Sequence, residues 1–478
     1  MTNTQSTRMD YYLAIDQGTH ASRAILFDEY GDVLSGAVCD ISLQRIDAQR
    51  VEQDATEILA SVRQVVAEVV ADIDVDSQIK ACGIATQRST MLAWNSAGEA
   101  RSAALSWQDV RGSDLVDALR LQQQMIQQIS GLPLSPHYGA SKLHWLQQHI
   151  SDADAHLRLS PLVSYLLYHL LETKPYVVDH CNAQRTQLFD LNQLNWSDAL
   201  CANFGVSSQQ LPLCVPVRHA FGDLEQHGIA VTAVTGDQNA ALYGMTTAQT
   251  DVALINLGTG AFVLRHMDDY RVSQQQLTGI AVSSASEVSF VREATINGAG
   301  SALTWLAERY GITGIEQQLP NWLKAVKTPE IFFNSVGGLG SPWWRADIDP
   351  HFIDEDTNTA RSDDGARVVG VIESILFMVQ SNLKLMQSES ALSLLHVSGG
   401  LSKLDGLCQR LADLSGLCVT RSDDSEATAR GAAWLAAGCP HGWHQHAEIT
   451  QFRPQTDAAL QQRYLYFLDY LERCLTHI

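Results

Sequence analysis

Two Gly-Thr pairs and two aspartates have the types and positions that phosphoryl chemistry needs. Asp16 stands at the end of a short apolar run and is followed by Gly18 and Thr19. Glycine lets backbone N–H groups approach anionic oxygens closely, and the threonine hydroxyl adds a donor. A carboxylate beside such a turn could hold Mg²⁺ through water, and Arg23 could add positive charge for phosphates. The alternative is a tight hairpin turn with a capping aspartate.

The second aspartate, Asp237, follows an apolar run at 230–234 and stands where a helix should begin. The free N–H groups and the dipole of a helix start favour the ionised carboxylate. A general base that acts on a hydroxyl must be ionised in this way. The alternative is that Asp237 only caps the helix.

Strands and helices that alternate along the chain must position these groups. The apolar runs at 11–15 and 24–27 predict a hairpin, and the run at 81–85 predicts a buried strand. Apolar residues at helical spacing over 54–72 predict a helix with Asp54 as its N-cap. This alternation indicates an α/β architecture.

The Gly-Thr pair at 18–19 returns at 258–259, an offset of 240 residues, or half of the chain. Each copy follows one apolar run and precedes another, although a single echo of this length could also arise by chance. The simplest interpretation is two similar α/β domains that face each other across a cleft. The apolar pattern breaks near 244–250, so we divide the chain into domains of residues 1–246 and 247–478.

Other segments could line a ligand or could only pack. The glycine-rich turns at 296–300 and 397–400 precede helices, where backbone could lie against a base or sugar or allow close helix–strand packing. Arg88, Ser89 and Trp107 could form a polar-ligand pocket, and Trp107 could equally be core. Small residues over 425–434 more often indicate tight helix packing than a ligand site.

Composition excludes several classes of function. The 478 residues carry 32 Lys and Arg against 53 Asp and Glu, a net charge of −21, which disfavours binding to nucleic acid or anionic lipid. Nine scattered cysteines without a C-x-x-C pair are typical of a reduced protein. No apolar leader, and no apolar run near the ~18 residues of a membrane span, stands out, so a cytoplasmic protein is expected. No Walker-type loop, Rossmann fingerprint or zinc spacing is present.

In their order along the chain, these segments resemble the FGGY family of carbohydrate kinases, and within it the glycerol kinases. The resemblance covers nearly the whole chain. It rests on residues 16–23, 51–54, 87–88, 107–111, 142–146, 182–186, 236–238, 258–260, 338–342 and 399–400.

The resemblance implies an α/β fold of two actin-like (ribonuclease H-like) domains flanking a catalytic cleft, with substrate and phosphate on the first and nucleotide on the second. It implies transfer of the γ-phosphoryl of ATP, with Mg²⁺, to a terminal hydroxyl of a small polyol or sugar. Asp237 would be the catalytic base and Asp16 the metal ligand. The residues implied to bind ATP are Thr19, Arg23, Gly258, Thr259, Gly260, Gly300, Thr304, Gly399 and Gly400. Those implied to bind the acceptor are Arg88, Ser89, Trp107, His137, Gln238 and Phe262.

The departures from the glycerol kinase pattern concern the acceptor. Glycerol kinases have Arg-Glu where this chain has Arg88-Ser89, and Pro-Tyr-Phe where it has Pro136-His137-Tyr138. Loss of the carboxylate opens space and removes an acceptor for glycerol hydroxyls. The expected acceptor is therefore a larger or differently hydroxylated molecule, such as a pentitol or ketopentose, and glycerol remains the alternative.

Two other classes of function compete. One is a catalytically silent relative that senses nucleotide or sugar, which would have no need of a base at Asp237. The other is an actin- or chaperone-like ATPase, which would hydrolyse ATP without an acceptor. The resemblance leaves a homodimer or a homotetramer open, with no nucleic-acid or membrane partner.

Overall fold

A computed structural model of the protein describes residues 9–71, 73, 78–150, 157–245, 249–267, 269–353, 363–422, 426–443 and 448–476. Up to residue 245 its strands are β1 (Asp10–Gln17), β2 (Ala21–Phe27), β3 (Val33–Asp40), β4 (Gln44–Arg45), β5 (Val51–Gln53), β6 (Gln78–Thr86), β7 (Met91–Trp94), β8 (Ala104–Leu105), β9 (Arg158–Pro161), β10 (Val177–Asp179), β11 (Phe189–Asp190), β12 (Asn195–Trp196), β13 (Leu213–Val215), β14 (Arg218–Asp223) and β15 (Ala230–Gly236). Its helices there are α1 (Ala55–Ala71), α2 (Ser113–Ala118), α3 (Gln123–Ser130), α4 (Gly139–His149), α5 (Leu162–Leu170), α6 (His180–Gln184), α7 (Asp198–Phe204) and α8 (Asp237–Met245), with 3₁₀ turns at Arg120–Gln122 and Ser208–Gln210.

The rest of the described chain continues this alternation. Its strands are β16 (Val252–Leu257), β17 (Ala261–Met267), β18 (Leu277–Ser283), β19 (Val288–Ile296), β20 (Phe332–Phe333), β21 (His351–Phe352), β22 (Leu394–Ser398), β23 (Cys418–Ser422) and β24 (Ile449–Phe452). Its helices are α9 (Gly300–Tyr310), α10 (Ile315–Ala325), α11 (Asp364–Glu389), α12 (Asp405–Ser415), α13 (Ala427–Ala436) and α14 (Ala458–Thr476), with a 3₁₀ turn at Gly400–Lys403.

The two large sheets share their strand order and strand directions. The first has the order β14-β15-β6-β1-β2-β3, with β15, β6 and β1 parallel and each remaining strand antiparallel to its neighbour. The second has the order β24-β23-β22-β16-β17-β19, with β18 added at the edge, and there β23, β22 and β16 are parallel. The two-domain α/β architecture expected from the sequence is therefore confirmed. The predicted division after residue 246 falls in 246–248, outside the described residues.

The two Gly-Thr turns occupy equivalent places in these sheets. They connect β1 to β2 and β16 to β17, the corresponding antiparallel pair of each sheet. The first turn is one residue longer, because the Gly18 N–H donates to the carbonyl of Ala21 whereas the Gly258 N–H donates to that of Gly260. The repeat seen in the sequence is thus a repeat of topology.

Local sequence explains the elements that carry the first turn. The Asp54 carboxylate accepts from the backbone N–H of Thr56 at 2.7 Å, and α1 begins at the next residue after Asp54, as its N-cap position predicts. Ile58, Val62 and Val65 bury the inner face of α1 against the sheet. The helix therefore supports β1 and β2 from behind.

The hydrophobic core does not divide at the middle of the sequence. One cluster is centred on the first sheet, yet it includes Leu264, Ile280 and Val291 from β17, β18 and β19. A second large cluster surrounds α11 and the second sheet. Strands of the second half of the chain therefore complete the core of the first, an arrangement that the 240-residue repeat does not predict.

Helices α8 and α13 pack with almost no space between their backbones. A Cβ on Gly431 would lie 1.8 Å from the carbonyl oxygen of Ala240, and one on Gly244 would lie 1.7 Å from that of Ala427. No larger residue fits at either position. The small residues of this segment therefore serve close packing, as the sequence indicated.

Helix α11 is long and apolar enough to cross a membrane by length and composition alone, with a mean hydropathy of 1.4 over its best 18 residues. This stretch was not among the apolar runs identified in the sequence. Inside the protein, 83% of that window is buried, which is the situation of a central core helix. All nine cysteines lie in the described ranges, and each is a free thiol.

Candidate active site

Three parallel strands bring the predicted chemical groups to one edge of the first sheet. Gln17 at the end of β1 pairs with Thr86 at the end of β6, and Thr86 pairs with Gly236 at the end of β15. The residues that follow these strands are therefore neighbours in space. In open α/β sheets, ligands bind at this carboxyl edge of parallel strands.

Asp237 is the first residue of α8, and its Oδ1 accepts from the N–H of Gln238 at 2.7 Å. The Nε of Arg88 lies 3.5 Å from the same oxygen. Burial raises the pKa of Asp237, while Arg88 opposes the rise. The side chain keeps 29% of its surface open. Asp237 is thus a carboxylate that the charge of Arg88 stabilises and that a substrate could reach. A residue that only caps a helix needs neither property.

Asp16 faces Asp237 from the end of β1. Burial and, after it, the charge of Asp237 raise the pKa of Asp16 to about 7, while Arg23 opposes the rise. Arg23 lies directly across the hairpin from Asp16 and forms an ion pair with Glu426 at 3.6 Å. Two carboxylates that repel each other in this way are relieved by a cation or by a proton.

This pair suits Mg²⁺ that arrives with a nucleotide. Magnesium is usually held by one or two carboxylates together with substrate phosphates, with waters filling its shell. Within the described residues, no group of three or more His, Cys, Asp or Glu side chains could hold a metal by itself. Asp16 fits a magnesium site in which one or two carboxylates act together with substrate phosphates, because such a site does not need a full set of protein ligands.

The first Gly-Thr turn is held by amides and an indole. The Nε2 of Gln53 donates to the Thr19 carbonyl at 2.8 Å, and the Nε2 of Gln87 donates to the Oε1 of Gln53 at 2.9 Å. The Nε1 of Trp107 donates to the Thr19 hydroxyl at 2.9 Å. That hydroxyl keeps its own proton for an anionic oxygen. Trp107 therefore joins the predicted acceptor wall to the predicted phosphate turn.

Replacing Trp107 with phenylalanine removes this indole N–H together with one ring of the side chain, while keeping an aromatic wall. We expect the KM for ATP to rise about 3- to 10-fold, the effect of about one neutral hydrogen bond. Steady-state kinetics with ATP varied at fixed acceptor measures it. Trp196→Phe is the matched control, because it removes an indole bond to the Pro212 carbonyl outside this site. An equal change in both variants would contradict the link to Thr19.

The second turn is packed against the start of α9. The N–H groups of Gly300 and Ser301 donate to the carbonyls of Gly258 and Thr259 at 2.9 and 3.0 Å. A Cβ on Gly300 would lie 2.9 Å from the Gly258 oxygen, so glycine is needed there. The Thr259 side chain is exposed beside this helix start, where N–H groups favour anions. Thr304 lies one turn further along α9, and its hydroxyl bonds the Gly300 carbonyl.

Gly399 joins the same surface from the end of β22. It has a φ of +86°, and a Cβ there would lie 2.6 Å from the Leu257 carbonyl oxygen, so the position requires glycine. Gly400 follows at the start of a 3₁₀ turn, with open space where a Cβ would stand. Of the predicted nucleotide glycines, Gly300 therefore packs on the second Gly-Thr turn, and Gly399 packs on Leu257, the residue before that turn.

Arg88 is held by a carboxylate from the other half of the chain. Its Nη1 and Nη2 lie 3.1 and 3.3 Å from the two carboxylate oxygens of Glu293 on β19, and Arg185 also pairs with Glu293. Only 1% of the Glu293 side chain is exposed. Burial would raise the pKa of Glu293, but the two guanidinium groups lower it to about 2. Arg88 is therefore oriented between Glu293 and Asp237.

The other predicted acceptor residues surround this cluster. Ser89 has a φ of +63°, and its hydroxyl donates to the Arg185 carbonyl at 3.3 Å. The Nδ1 of His137 lies 3.3 Å from the Trp107 carbonyl, and burial lowers the pKa of His137. Gln238 follows Asp237, and its buried Oε1 has no partner among the described residues. Phe262 lies on β17 next to the second turn, partly buried.

Glu293 and Arg185 were not predicted as site residues. The sequence offers no clear signal for Glu293, because the segment 290–294 also contains Arg292 next to it and is not an apolar run. Arg185 lies in a segment that carries the family resemblance, but its sequence position gives no partner.

The model of the FGGY family of carbohydrate kinases matches the chain twice, its N-terminal domain over residues 11–244 and its C-terminal domain over 253–438. A glycerol kinase of Stenotrophomonas maltophilia is 30% identical, covering 95% of this chain and 96% of that protein. A glycerol kinase of Cereibacter sphaeroides is 32% identical, covering 94% and 96%. Among solved structures, Plasmodium falciparum glycerol kinase with ADP has a TM-score of 0.88 at 22% identity, covering 98% and 99%. Gluconate kinase from Lactobacillus acidophilus has a TM-score of 0.87 at 18% identity, with the same coverage.

Proposed function

The chain belongs to the FGGY family of carbohydrate kinases and is an ATP-dependent kinase of a polyol or sugar, and we propose that Asp237 is its general base toward a terminal hydroxyl. The observation that carries this proposal is the position of Asp237. It stands at the carboxyl edge of the parallel strands, partly open, beside Arg88 and opposite Asp16. Asp16 is the other partly open carboxylate of this edge, but its neighbour Arg23 is ion-paired with Glu426.

In the proposed reaction, the oxygen of the acceptor hydroxyl forms a bond to the γ-phosphorus of ATP, and the Asp237 carboxylate takes the proton of that hydroxyl. The bond between that phosphorus and the β-γ bridging oxygen breaks, and ADP leaves with those electrons. Arg88 keeps Asp237 ionised until the proton arrives. The raised pKa of Asp237 makes it a better base than an exposed aspartate.

The nucleotide is proposed to lie between the two Gly-Thr turns. Thr19 on the first turn and Thr259 on the second offer hydroxyls to phosphate oxygens, with Arg23 adding positive charge. Asp16 is the residue that would hold Mg²⁺, and the bound ion would neutralise charge on the phosphates. The adenosine would lie against Gly300, Thr304, Gly399 and Gly400. The space beside Gly400 is open, and the positions of Gly300 and Gly399 leave no room for a Cβ. The Thr304 hydroxyl bonds the Gly300 carbonyl.

For the acceptor, we propose a molecule larger than glycerol. Ser89 stands where the glycerol kinase pattern has a glutamate, and its hydroxyl is already bonded to the Arg185 carbonyl. Tyr138 adds a buried phenol beside His137. A further hydroxyl of a pentitol or ketopentose could bond it.

Glycerol is the second candidate, and one observation favours it. The curated relatives at 30% and 32% identity over nearly the full chain are glycerol kinases. Arg88, Trp107 and Asp237 are all retained, so glycerol could still bind with the loss of one acceptor for its hydroxyls.

The decisive experiment measures ADP release with Mg·ATP against a panel of acceptors. The panel holds no acceptor, glycerol, erythritol, pentitols, ketopentoses and hexoses. Turnover that depends on one acceptor supports the proposal and identifies the substrate class. Turnover without any acceptor would favour an ATPase instead, and nucleotide binding without turnover would favour a silent sensor.

Substitution Ser89→Glu tests the choice of acceptor directly. The new carboxylate would stand next to Arg88 and would accept bonds from glycerol hydroxyls. Hydrogen bonds to charged groups contribute about 1.5–3 kcal/mol, so we expect kcat/KM for glycerol, relative to the best panel acceptor, to rise about 10- to 100-fold.

Ser208→Glu adds the same charge on an exposed 3₁₀ turn and should leave the ratio unchanged. If glycerol is already the best acceptor of the unmodified protein, the proposal of a larger acceptor is wrong.

A further inference from the structure

Lys142 on α4 places an ammonium group in the interior with no exposed surface. Its Nζ donates three hydrogen bonds, to the carbonyls of Ser89 at 3.0 Å, Ser106 at 2.8 Å and His137 at 2.8 Å. All three donors of the ammonium are therefore used on backbone acceptors.

These three carbonyls belong to three separate segments of the predicted acceptor wall. Ser89 and His137 are themselves predicted to bind the acceptor substrate. Ser106 directly precedes Trp107, which is a third such residue. The segments follow β6, follow β8 and precede α4. Trp107 and His137 also meet each other through the His137 ring and the Trp107 carbonyl. One side chain thus ties together the backbone of three loops that share no strand pairing at these residues.

The charges around Lys142 do not neutralise it directly. Within the described residues it has no ion pair, and the nearest carboxylate that acts on it, Asp109, is bonded to Arg111 and to the N–H of Val51. Burial lowers the pKa of Lys142 to about 7, with Asp109 opposing the change. A buried cation without a carboxylate partner costs stability that an apolar residue would not.

Two leucines of the same helix are buried without this cost. Leu143 and Leu146 are fully buried in the same core cluster. An apolar residue at 142 would remove the Lys142 donor from all three loop carbonyls, of which that of Ser106 would keep the N–H of Asp109 as a second donor. The lysine is therefore explained by what it holds and not by the packing of its helix.

We propose that Lys142 is a positioning residue that sets the acceptor-binding geometry by holding the Ser89, Trp107 and His137 loops in register. This proposal rests on the proposed function of those residues. Lys142 contacts none of the reacting groups, so it acts on the acceptor through the three loops and reaches the nucleotide turns only through the Trp107 bond to Thr19.

The test is Lys142→Met, which keeps the length of the side chain and removes the donors. We expect kcat/KM for the best acceptor of the panel to fall about 10- to 100-fold, because ångström-scale misplacement has effects of this size. The KM for ATP should rise by no more than the roughly 3- to 10-fold expected of Trp107→Phe, since the Gly258 turn does not touch Lys142 and the Trp107 bond to Thr19 is the one link from these loops to the first turn that the variant could disturb. Lys142→Gln retains part of the donor set and should give an intermediate loss. If Lys142→Met does not fold, the kinetics of Lys142→Gln provide the test.

Leu146→Ala is the matched control on the same helix. It opens a core cavity and should lower the melting temperature without raising the KM for the acceptor, because Leu146 touches no loop carbonyl through a hydrogen bond. The positioning role is wrong if Leu146→Ala and Lys142→Met change the KM for the acceptor equally. It is also wrong if Lys142→Met raises the KM for ATP as much as it raises the KM for the acceptor.

Hydrogen–deuterium exchange tests the tie even if the panel shows no turnover. In Lys142→Met or Lys142→Gln, amides of segments 88–91, 105–111 and 134–139 should exchange faster than in the unmodified protein, while those of 254–261 should not. Unchanged exchange in the three segments would overturn the proposal. A failed panel with this exchange pattern would contradict only the proposed function.

Discussion

Asp237→Asn is expected to abolish nearly all acceptor-dependent ADP release while the protein still binds ATP. Positioned general bases contribute about 10²- to 10⁴-fold to rate, and we expect kcat to fall by that range. Asparagine keeps the shape of the side chain and can still accept from the Gln238 N–H. Because the predicted nucleotide residues lie on the two Gly-Thr turns, the affinity for ATP should change little. Single-turnover kinetics and calorimetric titration of ATP measure the two quantities separately.

Asp198→Asn provides the matched control for Asp237→Asn. Asp198 is also the first residue of a helix, α7, but it is exposed and belongs to no part of the site. It should retain full turnover. Equal losses of ATP affinity and of turnover in Asp237→Asn would contradict the role of Asp237 as a base. Such a result would indicate that the carboxylate mainly organises the nucleotide site.

The parts of this site that are predictable from sequence are those fixed by local geometry. A strand that ends in Gly-Thr and is followed by another strand makes the same turn in both halves, so Thr19 and Thr259 could be placed on equivalent hairpins. Asp237 could be placed at a helix start because an apolar strand leads directly into it. Parallel pairing of β1, β6 and β15 then brings Asp16, Arg88 and Asp237 together.

The parts that were missed depend on contacts between distant segments. Glu293 and Arg88 are separated by 205 residues, and nothing local indicates that they pair. The sequence places Lys142 in a motif, but the three carbonyls that accept its hydrogen bonds lie on loops that only the fold brings together. The same is true of the core, where Val291 of β19 packs into the cluster of the first sheet. Buried charges are therefore where sequence patterns carry the least information about partners.

Glu293→Gln is expected to have the largest effect on stability. Glutamine keeps the volume but leaves Arg88 and Arg185 buried without their shared carboxylate. Breaking a buried ion pair by removing one partner costs about 3–5 kcal/mol, so the free energy of unfolding should fall by that order. Chemical denaturation at neutral pH measures it. Glu287→Gln, an exposed glutamate on the turn between β18 and β19, should change almost nothing.

The pH dependence of this effect gives Glu293→Gln a signature that a packing defect would lack. The pKa of Glu293 in the folded protein is about 2, below its ordinary value of 4.5, because the two guanidinium groups outweigh the cost of burial. A lowered folded pKa contributes stability that is fully present above pH 4.5 and is lost as the pH falls toward 2. The difference in unfolding free energy between the unmodified protein and Glu293→Gln should therefore be constant near neutral pH and shrink between pH 4.5 and about 2. A difference that stays constant through this window would mean that Glu293 stabilises the protein by its shape alone. In that case Arg88 would not depend on Glu293 for its orientation toward Asp237.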